Sequence, residues 1–128
     1  MSYVIVSLKA AELAGTKKIH PAEAWRRSAE IEFPDSIDSQ VKACPKNTFL
    51  GLCEEGKIKT VPAGSYTSSQ LNKQYALKAI GMLGTGKKFT ALELWKAVLK
   101  SLNADPEKKH NYQMSVVLAL WENDLIVQ

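Results

Sequence analysis

Cysteine is almost absent from this chain: Cys44 and Cys53 are the only two. One pair builds no disulfide framework, and the spacing matches no zinc pattern even when His20 and His110, the only histidines, are added. Reduced thiols, no metal and a cytoplasmic location are the expectation. Long apolar runs are missing as well. The longest, Met114 to Trp121, falls far short of a membrane span, and Met1 to Leu8 has no basic start and meets Lys9 too early for a secretory signal, so no membrane partner is expected. Catalytic groups are equally scarce. No nucleophile, base and orienting acid occur in a recognisable motif, and Glu54-Glu55, adjacent on a helix, do not face each other as an acid/base pair would; they read as a solvated helix end. The chain is therefore read as non-enzymatic, with no cofactor implied.

What is present is the material of one globular domain: 128 residues, 45% hydrophobic and 23% charged. The net charge of +4 permits a polyanionic partner without demanding one. The cations come in pairs, at Lys17-Lys18, Arg26-Arg27, Lys87-Lys88 and Lys108-Lys109.

The clearest local signal lies between Lys87 and Gln128. Thr90 followed three residues later by Glu93 spells a capping box, and Leu94, Trp95, Val98, Leu99 and Leu102 then repeat at helical spacing. Lys96 and Lys100 fall off that stripe. Met114, Val117, Leu118 and Trp121 mark a further helix, stopped by Asn123-Asp124 before the apolar triplet Leu125-Ile126-Val127. From the other end, Val4 to Ala14 reads as a helix that Gly15 closes in the left-handed conformation. His20 to Phe33 is a second helix with Pro21 at its first position, and a helical turn is expected over Gln40 to Ala43. Pro45 opens a third helix through Glu55, Gly56 ends it, and Lys57 to Val61 alternates like a short strand. After the turn Pro62 to Ser65, Thr67 with Gln70 starts a helix over Ser68 to Leu83, closed by Gly84.

The same order thus occurs twice, and the letters repeat with it. Leu8-Lys9-Ala10 and Gly15-Thr16 match Leu77-Lys78-Ala79 and Gly84-Thr85 at one constant spacing. Gly86 is then inserted, after which Lys17-Lys18, Glu23 and Trp25 fall on Lys87-Lys88, Glu93 and Trp95. Leu50, Leu52, Glu54 and Ile58 match Leu118, Leu120, Glu122 and Ile126. The expected fold is mainly α: one domain, residues 1–128, of two fused three-helix helix-turn-helix-like repeats, about 3–61 and 72–128, joined by 62–71. A unit of about 60 residues buries only about 60% of its unfolded surface, so the two should share a core about a pseudo-two-fold axis. Ile58 and Ile126 are the candidates to pair in a short two-stranded β ribbon.

Helix order and the stretch Leu120 to Ile126 resemble the winged-helix family, in which a helix-turn-helix runs into a strand. That resemblance implies that the third helix of a unit enters a DNA major groove. Lys17, Lys18, Lys87, Lys88, Lys108 and Lys109 suit phosphate, and His110, Asn111 and Gln113 stand where base edges would be read. Three-helix units also serve as protein-docking modules, and a protein partner is the first expectation, with DNA the alternative. Gly81 to Lys88 has the opening glycines of a P-loop, but Lys88 stands where a Ser or Thr belongs and a helix precedes it, so it reads as a helix end and a basic turn. Cys44, at a helix start, is the one thiol placed to be reactive; Cys53, Trp25 and Trp95 read as core, Tyr66 and Tyr112 as nearer the surface. The stretches Cys44 to Gly56 and Lys109 to Ile126 also resemble a family of small, uncharacterised bacterial proteins, which implies no activity.

Overall fold

A computed structural model describes residues 2–128. Seven helices follow one another: α1 (Tyr3–Gly15), α2 (Pro21–Glu32), α3 (Ile37–Gln40), α4 (Ala43–Glu54), α5 (Gln70–Leu83), α6 (Ala91–Ser101) and α7 (Gln113–Glu122). Their starts are chemically marked. Ser2 caps α1, the imidazole Nδ1 of His20 accepts from the Ala22 N–H ahead of Pro21 in α2, and Thr90 and Glu93 form the expected reciprocal box on α6. Two starts differ from the sequence reading. Ser69, not Thr67, caps α5, because the Thr67 hydroxyl is engaged with Asn47 Oδ1 and the Ser69 N–H. The short helix before α4 lies over Ile37–Gln40 rather than Gln40–Ala43, started by the Ser36 hydroxyl.

One apolar core runs through the molecule, from Tyr3 and Val6 in α1 to Leu120 in α7 and Ile126 beyond it, with Trp25 and Trp95 both inside it. Its centre is α7. Met114, Val116, Val117 and Leu120 have no exposed surface, and the helix touches α1, α4, α5 and α6. α4 is almost as enclosed, by α2, α5 and α7. Helices apolar on most of their circumference must be surrounded, which is why α1 and α5 lie outside α7 and α4.

The two helix ends leading to the pairing isoleucines are built alike. After α4, Gly56 takes a left-handed conformation (φ +68°) and the Lys57 N–H returns to the Leu52 carbonyl at 2.9 Å. After α7, Asp124 does the same (φ +58°) and the Leu125 N–H returns to the Leu120 carbonyl at 3.0 Å. Ile58 and Ile126 then form an antiparallel bridge, with Lys59 N–H to Leu125 O and Val127 N–H to Lys57 O both 2.8 Å. The pairing is confined to that bridge. Thr60 turns left-handed (φ +67°) and the Val61 N–H closes back on Ile58, so the alternation through Val61 does not extend into a strand.

Glycines play other parts than the sequence suggested. Gly15 and Gly84 are not left-handed; Gly84 keeps φ −63°. Gly15 is the last residue of α1 because Thr60 stands against it: an added Cβ would sit 2.2 Å from Thr60 Oγ1.

Glu54 is not solvated either. Its side chain is 11% exposed, and Oε1 accepts from the Tyr66 and Thr67 N–H groups (2.8 and 3.1 Å) while Oε2 accepts from Lys73 Nζ (2.8 Å). The clasp ties the connection 62–71 and α5 to the end of α4. The Lys73 ammonium, followed by the two backbone donors, holds the Glu54 carboxyl down at about 2. Its folded pKa lies below the ordinary 4.5, so the clasp stabilises fully above about pH 4.5 and is lost as pH falls toward 2. Glu54→Gln should therefore melt several degrees below the parent at neutral pH. In melts repeated at falling pH, the gap should close through that window; a gap independent of pH would refute the assignment.

Candidate functional site

The third helix of the second unit is not offered to a duplex. Gln113, expected to read a base edge, is 1% exposed, and its Oε1 accepts from the Asn111 N–H (2.6 Å) while Nε2 reaches Asn72 (3.4 Å). With α7 enclosed by four helices, major-groove insertion is unavailable in this fold. His110 is half-buried and acts as a cap: Nε2 accepts from the Met114 N–H at 2.9 Å, and the ring lies against Trp95. Burial pushes its pKa down, which keeps that nitrogen free to accept.

Of the candidate contacts, Asn111 and all six lysines are exposed. They are not drawn into one cluster by any contact between them. Lys18 Nζ bonds the Thr60 carbonyl, Lys87 lies over Phe89, and Lys108 lies over Tyr75 while its carbonyl accepts the Trp95 indole N–H at 2.9 Å. Among the described residues, the ion pairs belong to Arg26, Arg27, Lys59 and Lys73, and no His, Cys, Asp and Glu group has the makings of a metal site. Cys44 is free and partly buried in the first turn of α4; Cys53 is fully buried, and burial pushes its thiol well up, leaving it a small apolar side chain. No helix is long and apolar enough to cross a membrane among those residues.

The best-formed cleft lies elsewhere, where the starts of α1 and α7 meet α3. It encloses about 370 Å³ and is walled by Tyr3, Phe33 and Tyr112, with Asp38 and Lys42 on its border. Tyr3 is the hinge of this wall. Its ring lies 4.9 Å from those of both Phe33 and Tyr112, it stacks parallel on Trp25 behind it, and its hydroxyl donates to the Ser39 carbonyl at 2.8 Å. Burial raises the pKa of that phenol, so it stays a neutral donor. Tyr112 is unusual in two ways: it is 50% exposed, and it is left-handed (φ +68°). A bulky side chain pays about 1–3 kcal/mol for that backbone, which turns the chain into α7 and lays the ring over Tyr3. Rigid aromatic surface, hydroxyls and one charge of each sign make this a site for recognition.

A family model described as a family of unknown function (DUF6979) matches residues 1–127. The chain belongs to that family. Membership of DUF6979 covers both units and the cleft together. No curated protein and no solved structure matches the chain. Sequence reasoning placed Tyr112 near the surface but missed the cleft, because Tyr3, Phe33 and Tyr112 lie far apart along the chain. The one signal available was an aromatic residue directly before a helix.

Proposed function

We propose that this DUF6979 protein is a non-catalytic binding protein whose partner is another protein, received in the cleft of Tyr3, Phe33 and Tyr112. The observation that carries this reading is Tyr112, a half-exposed ring held at a backbone cost over a built aromatic wall. Val4 on the cleft wall, and Ile37 and Val41 on the adjoining α3 segment, add exposed apolar surface. The unpaired cysteines fit action in the cytoplasm. We read the scaffold as two helix-turn-helix-like units, 3–61 and 72–128, related by a pseudo-two-fold axis. The matched turns at Gly56 and Asp124 support this, as does the exchange in which α1 packs on α7 and α5 on α4.

The test is a photocrosslinking side chain at Ile37, with and without Tyr112→Gly. Glycine relieves the left-handed backbone, so the variant should stay folded while protein adducts fall at least about tenfold, the loss expected of an aromatic anchor. Adducts unchanged in the variant would refute the cleft.

A second reading, nucleic-acid binding, is favoured by one observation. Lys87, Lys88, Lys108 and Lys109 are exposed without acidic partners, and with Lys96 and Lys100 they outnumber Glu93, Asp105 and Glu107 in that stretch. With α7 buried, such contacts would reach phosphate only. Binding to duplex DNA that falls steeply with salt, with a shallower slope in Lys108→Ala/Lys109→Ala, would favour it; no binding at low salt would remove it.

A further inference from the structure

Gly81 has no internal reason to be glycine. It lies inside α5, where alanine would be favoured by about 1 kcal/mol, its backbone is not left-handed, and a Cβ added there meets nothing within 4 Å. Gly15 and Gly51 differ, each having a neighbour where the Cβ would go. Gly81 faces away from the buried Tyr75, Ala76, Ala79 and Leu83 of its own helix, so the space left by its missing side chain opens outward.

Two apolar grooves meet along that line. One, about 600 Å³, runs between α5 and the end of α6, with Met82 and Leu102 as its floor and Lys78 beside them. The other, about 580 Å³, runs between α5 and the end of α7, over Ile80 and Trp121, with Glu55 beside them. Leu77 and Gly81 line both. Leu77, Gly81 and Thr85 follow one another at four-residue spacing, a helix ridge with a notch at its middle.

We propose that this face is where a second copy of the chain docks, α5 against α5, crossing at Gly81. Charge complementarity selects the copy as occupant. A two-fold axis running along α5 lays the groove bordered by Lys78 over the partner's groove bordered by Glu55, and the reverse, so opposite charges meet twice. The surface is also self-complementary in shape: the notch lets the two backbones approach, and Leu77, one turn earlier, enters the facing groove. One helix face and two grooves give less than the roughly 800 Å² per partner of a standard stable interface, so the dimer is weak, with Kd of about 10–100 µM. This face is separate from the aromatic cleft, and the proposal does not depend on it.

Sedimentation equilibrium of the full chain over a concentration series, with Gly81→Ala, Gly81→Leu and Lys78→Glu beside the parent, tests it. The parent should dimerise reversibly. Gly81→Ala should melt higher at low concentration, from its better helix propensity, and yet dimerise at least about tenfold more weakly; the two shifts have opposite signs, so misfolding cannot imitate them. Gly81→Leu should be monomeric and Lys78→Glu weakened. A parent that is monomeric throughout, or a dimer as tight in Gly81→Ala, overturns the proposal. A monomer that loses a different protein partner in Gly81→Leu overturns it too, in favour of a heterologous occupant.

Discussion

Replacing Gly51 by alanine should destabilise the protein by about 3 kcal/mol or more, although alanine is the better helix former by about 1 kcal/mol. Gly51 is buried in the middle of α4 at its crossing with α5. A Cβ there would stand 2.8 Å from both Cα and Cβ of Lys73, and a backbone atom cannot rotate away as a side-chain tip can. α5 must move outward. That movement also draws the Lys73 ammonium from Glu54, so the clasp on residues 62–71 loosens with the packing. For a chain of this size, about 3 kcal/mol corresponds to a fall of about 10 °C in Tm. Thermal melts of Gly51→Ala beside Gly81→Ala make the sharpest comparison: the same substitution in neighbouring helices should shift Tm in opposite directions. A Gly51→Ala variant as stable as the parent would mean that the α4 and α5 crossing is looser than 2.8 Å implies.

Leu120→Ala should cost about 3–4 kcal/mol, a large part of the 5–15 kcal/mol that holds a typical domain together. Leu120 has no exposed surface, and α7 is hemmed in by four helices that cannot all collapse onto the lost volume. Its counterpart Leu52, also fully buried, sits in α4 against α7. Leu52→Ala should cost a similar amount and act on the same transition. Both variants should unfold in one step, with far-UV circular dichroism and tryptophan fluorescence coincident, because the core is continuous from Tyr3 to Ile126. Two separated transitions in either variant would show that the halves hold separate cores.

Much of the fold was legible because short-range chemistry settles it. The Thr90 and Glu93 box, Pro21 at the start of α2 and the stripe Leu94, Trp95, Val98 and Leu99 are each local arrangements that stabilise a helix wherever it lies. The pairing of Ile58 with Ile126 was legible for a different reason: the repeated letters predicted it, and the bridge is there. The shared turn geometry was not, since the left-handed position is glycine in one unit and aspartate in the other. Glu54 was misread for want of Lys73 and the backbone of Tyr66 and Thr67, none of them within reach along the helix.

The site depended on tertiary structure almost entirely. Lysine pairs beside a helix read the same whether that helix is exposed or enclosed, and α7 proved to be the centre of the molecule, which took Gln113 inside. The sequence by itself determined that the chain is mainly helical, where its long helices lie, that both Trp25 and Trp95 are core, and which isoleucines meet. Those properties follow from periodicity and capping, which act over a few residues. Only the packing decided which helix is buried on every side, that Tyr3, Phe33 and Tyr112 share one wall, and that Gly51 is filled by a neighbour while Gly81 stands open. These depend on contacts between residues distant along the chain, and one helix's pattern does not state what lies across from it.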